Sequence, residues 1–138
     1  MDTFSVLLVD DEEDFLRTII KRLAKRGIAA HGASSGEEAL TVLATTAHDV
    51  VVLDVKMPGM DGIEVLKRIK QSWPTTEVIM LTGHASIDAA MEGMSQGAFD
   101  YLMKPADFGD LLYKLEDAYH KKSLNKASLS PNPDGSGR

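Results

Sequence analysis

Short apolar runs alternate along the chain with longer stretches in which apolar residues recur every three or four positions. Residues Phe4 to Val9 are apolar and partly β-branched, the pattern of a buried strand. Phe15, Ile19, Ile20 and Leu23 follow at helical spacing, and Gly27 stands where that helix should stop. Ile28 to Gly32 is a weaker strand candidate. Ser35 and Glu38 form a capping box that opens a helix through Ala39, Leu40 and Leu43. Val50 to Leu53 is the clearest buried strand. A helix is predicted over Gly62 to Lys70 on Ile63, Leu66 and Ile69, then a strand over Val78 to Leu81. Ser86 to Gln96 reads as a helix ended by Gly97, and Phe99 to Met103 as a strand. Asp107 caps a last helix carrying Phe108, Leu111, Leu112, Leu115 and Tyr119. Strands this apolar are buried on both faces, and their alternation with helices predicts a doubly wound α/β fold with a parallel sheet.

The chain has 138 residues, enough for one compact domain with a sizeable core. That domain is expected over residues 1–122. From Ser123 the composition turns to Ser, Pro, Gly and Asn, so residues 123–138 read as a flexible tail or the start of a linker. No apolar run reaches the roughly 18 residues of a membrane span. Acidic rather than basic residues flank the first apolar stretch, unlike a signal peptide, so a cytoplasmic location is expected. Cysteine is absent, which removes disulfides and thiolate metal sites. The net charge of −6, with no basic surplus, argues against direct nucleic-acid binding.

The polar residues that matter chemically follow the predicted strands. Asp10 and Asp11 follow the first, Asp54 the third, Thr82 the fourth and Lys104 the fifth. In an open parallel sheet the carboxyl ends of the strands share one edge, and ligands bind there. One Asp after a strand is usually a turn former; the conjunction of these positions carries the signal. Three carboxylates beside one ammonium give a formal local charge of about −2. They raise one another's pKa unless a divalent cation relieves the repulsion. An oxygen-only ligand set suits Mg²⁺, and the histidines His31, His48, His84 and His120 lack the paired spacing of a zinc site.

The segments VDDEED, DVKMPGMDG, LTGHAS and GAFDYLMKP, in that order and strand context, resemble the CheY-like receiver domain of bacterial two-component response regulators. The resemblance runs from about Val6 to the last helix and is most similar to receivers of nitrogen-regulator-type transcriptional activators. It implies a flavodoxin-like sheet of five parallel strands in the order 2-1-3-4-5 with five helices. It also implies that Asp54 is the phosphoacceptor. Asp10 and Asp11 would complete the acidic pocket, with Mg²⁺ on Asp11, Asp54 and the backbone carbonyl of Lys56. Thr82 would bond the phosphoryl group, Lys104 would pair with it, and Tyr101 would be the aromatic switch residue. The side chains of Lys56 and His84 would influence the lifetime of the phosphoryl group, and Lys104-Pro105 would be a cis peptide.

The implied function is a phosphoacceptor switch rather than an enzyme with a separate substrate. It would be loaded by a sensor histidine kinase or phosphotransfer protein and read through its fourth helix, fifth strand and fifth helix. A homodimer through the last two helices is a further expectation. Three other classes fit less well. An aspartyl phosphatase needs a second Asp two residues after the nucleophile as general acid, and that position is Lys56. GxxxxGK[ST] and GxGxxG nucleotide loops are absent. A phosphorylation-independent interaction module is disfavoured because Asp10, Asp11, Asp54, Thr82 and Lys104 are all present.

Overall fold

The computed structural model describes residues 4–129. Five strands, β1 (Ser5–Val9), β2 (Ala29–Ala33), β3 (Val50–Asp54), β4 (Glu77–Thr82) and β5 (Asp100–Met103), alternate with five α-helices. These are α1 (Glu13–Lys25), α2 (Gly36–Thr45), α3 (Gly62–Ser72), α4 (Ile87–Ser95) and α5 (Phe108–Leu129). The strands form one parallel sheet in the order β2-β1-β3-β4-β5.

Side-chain alternation divides the core into two layers. Leu7, Val9, Leu53 and Met80 point toward α2, α3 and α4, where they meet Ala39, Leu43, Val65, Leu66, Ile69 and Ala90. Val6, Leu8, Val52, Ile79 and Leu81 point the other way, onto Leu16, Ile19 and Leu23 of α1 and Leu111 and Leu115 of α5. Both faces are covered, so β3 is buried at every position. The two edge strands are less covered: β5 is half-buried throughout, and β2 is more open still. It lies at the sheet edge, and its sequence AAHGA leaves Ala29 and His31 exposed.

The helix ends follow local chemistry. Gly27 adopts φ 77° just beyond α1, in the left-handed region. Ser35 Oγ accepts the Glu38 amide at 3.1 Å, as the capping box predicts. The reciprocal bond is shifted by one residue, because Glu38 Oε1 accepts from the Ser34 amide at 2.7 Å and not from Ser35. Asp61 caps α3 through the Glu64 amide at 3.0 Å, and Asp107 caps α5 through the Asp110 amide at 3.1 Å.

Most boundaries fall within one or two residues of expectation, and two of the differences have a local cause. Residues His84–Ser86 form a 3₁₀ turn, so α4 starts at Ile87. More substantially, α5 runs on to Leu129, so residues 123–129, read as the beginning of the tail, are helical. Leu, Lys and Ala in that stretch favour helix, and the first breaker is Pro131. The helix is also anchored just before this extension. Tyr119 stacks on Phe4 at 4.7 Å, and Lys122 Nζ lies 3.1 Å from Asp49 Oδ1. The remainder of the expected tail, residues 130–138, lies outside the described residues.

Candidate functional site

The register aligns the strand ends. Val9 pairs with Leu53, Leu53 with Met80, and Thr82 with Met103. Asp10 after β1, Asp54 closing β3, Thr82 closing β4 and Lys104 after β5 therefore come to one edge of the sheet. Their backbones are tied down there. The Asp10 amide donates to Ala33 O at 3.0 Å, the Val55 amide to Leu81 O at 2.9 Å and the Lys104 amide to Thr82 O at 2.7 Å.

The side chains converge on a small acidic pocket. Asp10 is fully buried and Asp54 is 7% exposed, whereas Asp11 faces solvent. One carboxylate oxygen from each of Asp10, Asp11 and Asp54 lies within 4.8 Å of the others. Asp10 Oδ1 accepts the Glu12 amide at 2.9 Å, and Asp54 Oδ1 accepts the Lys56 amide at 3.2 Å. Lys104 Nζ crosses the pocket, donating to Asp10 Oδ2 at 2.8 Å and to Asp54 Oδ2 at 3.3 Å. The Lys104–Pro105 peptide is cis.

The charges are in tension. Burial raises the Asp54 pKa, and the nearby Asp10 carboxylate raises it further; Lys104 and the Lys56 amide offset only part of this. Burial alone would lower the Lys104 pKa. Its hydrogen bond to Asp10 and the charges of Asp54 and Asp10 outweigh that, and hold the ammonium above the ordinary lysine range. One cation thus neutralises two buried acids incompletely. Three hard oxygen donors, one of them open to solvent, are a suitable site for a divalent cation that keeps part of its water shell.

The other expected site residues stand further back. Thr82 is fully buried, and its hydroxyl donates to Gly83 O at 3.0 Å. Tyr101 is half-buried against the core layer of α2, α3 and α4. His84 is exposed in the 3₁₀ turn, and the Lys56 side chain is exposed beside Asp54. Among the described residues, none of these four side chains joins the hydrogen bonds around Asp54.

One participant was not singled out from sequence. Glu12 Oε1 accepts from Lys104 Nζ at 3.3 Å, a third carboxylate on the same ammonium. The acidic run DDEED contained the signal, but spacing alone does not tell which acid of such a run reaches the lysine.

The family model of the response regulator receiver domain matches residues 6–116. Among curated proteins, the chain is 37% identical over 121 residues to the regulatory protein AtoC of Escherichia coli, covering 88% of this chain and 26% of AtoC. It is 41% identical over 113 residues to the DNA-binding transcriptional regulator NtrC of Salmonella typhimurium, covering 82% of this chain and 24% of NtrC. The chain thus spans about a quarter of the length of these relatives. Among solved structures, a response regulator receiver domain protein from Clostridium thermocellum superposes with a TM-score of 0.84 at 37% identity, covering 88% of this chain and 98% of that one. NtrX from Brucella abortus superposes with a TM-score of 0.87 at 28% identity, covering 94% of this chain and 30% of NtrX.

Proposed function

The chain belongs to the response regulator receiver domain family, and from that premise we propose that Asp54 accepts a phosphoryl group in a Mg²⁺-assisted transfer. The observation that carries the proposal is the meeting of the Asp10, Asp11 and Asp54 carboxylates with the Lys104 ammonium at one sheet edge. Asp11, Asp54 and the Lys56 carbonyl, with Asp10 beside them, would hold Mg²⁺, which would supply positive charge against the transferring group.

This chain's residues do the rest. An Asp54 carboxylate oxygen attacks phosphorus, the bond from phosphorus to the donor's imidazole nitrogen breaks, and that nitrogen keeps the electron pair. The donor is a sensor histidine kinase or phosphotransfer protein. Phosphoryl transfer needs mainly positioning and charge stabilisation, and Lys104 supplies a cation for the equatorial oxygens. To reach them its ammonium exchanges Asp10 and Glu12 for the phosphoryl group. The Thr82 hydroxyl leaves Gly83 O to bond the new dianion, and Tyr101 moves into the space vacated. α4, β5 and α5 then shift toward a second, already accessible packing. Lys56 and His84, exposed at the rim, tune how quickly water reaches the aspartyl phosphate. The domain acts as a cytoplasmic switch that catalyses only its own phosphorylation and dephosphorylation.

We also propose a phosphorylation-tuned homodimer through α4 and α5, the helices that carry the exposed Met91 and Tyr113. Sedimentation that gives the same monomer with and without a phosphoryl analogue refutes the dimer.

Intact mass after incubation with acetyl phosphate tests the main proposal. A gain of one phosphoryl group that requires both Mg²⁺ and Asp54, and is lost in Asp54→Asn, is the expected result. No gain from acetyl phosphate or from phosphorylated kinases, in folded protein, refutes it and favours a phosphorylation-independent interaction module.

A further inference from the structure

The loop that carries Asp54 is clamped from two sides, and one side of the clamp works only because it lacks a side chain. β4 holds one side: the Val55 amide donates to Leu81 O at 2.9 Å. The first residue of α3 holds the other: the Gly62 amide donates to Val55 O at 3.0 Å. A Cβ on Gly62 would lie 2.6 Å from Asp54 O, 2.8 Å from Val55 Cα and 2.9 Å from Val55 O. Real Cβ atoms essentially never approach other heavy atoms closer than 3.0 Å, so all three contacts are severe overlaps. All three partners are main-chain atoms, which cannot turn aside as a side-chain tip can.

Backbone freedom does not explain the glycine. The glycines with positive φ among the described residues are Gly27, Gly59 and Gly97. Gly62 begins a helix, where any residue with a Cβ would be accepted on conformational grounds. What a larger residue disturbs is the 54–55 peptide. The Asp54 carboxylate is oriented by the next peptide in the same loop, through the Lys56 amide at 3.2 Å.

We infer that Gly62 is a positioning residue for the metal and phosphoryl site: its bare Cα lets α3 press on the Asp54–Val55 peptide and set the Asp54 carboxylate and Lys56 carbonyl together. The inference rests on the reading of Asp54 and Lys56 given above. Gly36 supplies the internal comparison. A Cβ there would lie 2.4 Å from Val65 Cγ2 and 3.3 Å from Met60 O. It has one overlap, against a side-chain tip, and presses on Val65 of α3 and on Met60 in the loop before it, not on the Asp54–Val55 peptide.

The experiment compares wild type, Gly62→Ala and Gly36→Ala by thermal unfolding and by Mg²⁺ titration followed through backbone amide shifts. Gly62→Ala is expected to lose about tenfold in Mg²⁺ affinity, the scale of losses when the support of a metal ligand is removed. Gly36→Ala is expected to lose stability and keep wild-type affinity. Wild-type affinity in Gly62→Ala, or equal losses in both variants, overturns the inference. If Gly62→Ala does not fold, amide relaxation of metal-free wild type decides. Val55 and Gly62 as rigid as the β3 amides support the clamp, and microsecond-to-millisecond exchange at both overturns it. Wild type that binds no Mg²⁺ overturns the functional reading and this inference with it, an outcome distinct from failure at Gly62 alone.

Discussion

The Lys104 ammonium lies 2.8 Å from Asp10 Oδ2, across 94 positions of sequence, and 3.3 Å from Asp54 Oδ2. One cation just past the last strand therefore ties together acids at the ends of the first and third. Without it, two buried carboxylates would face each other with no fixed counter-charge. On the proposed reading the phosphoryl group would form on Asp54 beside this same ammonium, so resting stability and chemistry would draw on one group.

Lys104→Met should therefore destabilise the metal-free protein. Removing one partner from a buried, hydrogen-bonded charge pair costs about 1–3 kcal/mol at a site with partial solvent access. Added Mg²⁺ should recover part of that loss, because it supplies positive charge to the same acids. Urea unfolding with and without Mg²⁺ measures both. An unchanged midpoint in metal-free buffer would mean that Lys104 is not neutralising Asp10 and Asp54.

Asp54 gives the opposite sign. Its folded pKa is raised, by burial first and by Asp10 second, so its charge opposes folding above that pKa. Protonation relieves the penalty as pH falls from the folded value toward the unfolded value of 3.8. Asp54→Asn, neutral throughout, should thus melt higher than wild type at pH 7 without metal. The advantage should shrink as pH falls through that window. Mg²⁺ should raise the wild-type melting temperature more than that of the variant. Melting curves across pH, with and without Mg²⁺, check the three statements.

The strand ends were readable from sequence because each apolar run stops at the residue that matters. Val50 to Leu53 ends at Asp54, and Val78 to Leu81 ends at Thr82. The strand order came from the family resemblance, since alternation of strand and helix leaves several parallel orders possible. Glu12 was not readable, because its role depends on the Lys104 side chain folding back across the pocket. The reach of α5 to Leu129 was missed for a different reason. Ser and Asn in the segment weigh toward a loop, and neither the stacking of Tyr119 on Phe4 nor the Lys122–Asp49 pair is visible in a linear pattern.

Gly27 offers a clean measurement of backbone cost. It sits at φ 77° and a Cβ there meets nothing within 4 Å. Gly27→Ala should lose about 1 kcal/mol, all of it from forcing a residue with a Cβ into the left-handed region. Mg²⁺ affinity should not change, since α1 ends away from the site. A loss well above 2 kcal/mol in urea unfolding would indicate steric contacts that the structure does not contain.

His48 should make stability depend on pH near neutrality. Its Nδ1 lies 2.9 Å from Thr46 O, an acceptor, so that nitrogen carries the proton. Nε2 then offers a lone pair to His31 Nδ1 at 3.1 Å, which fixes the tautomer of His31 as well. Burial lowers the His48 pKa below 6.5; the Thr46 hydrogen bond and Asp49 pull upward, and the charge of His31 adds to the lowering. The unfolded chain takes up a proton near pH 6.5 that the folded chain still refuses. Stability from this group is complete above that pH and is lost progressively as pH falls toward the folded pKa. His48→Asn should remove this part of the slope while losing about 1 kcal/mol from the broken hydrogen bonds. Urea midpoints between roughly pH 5 and 7.5, with the ring titrations followed by NMR, distinguish the two effects. Parallel slopes in variant and wild type would assign the pH response to another group.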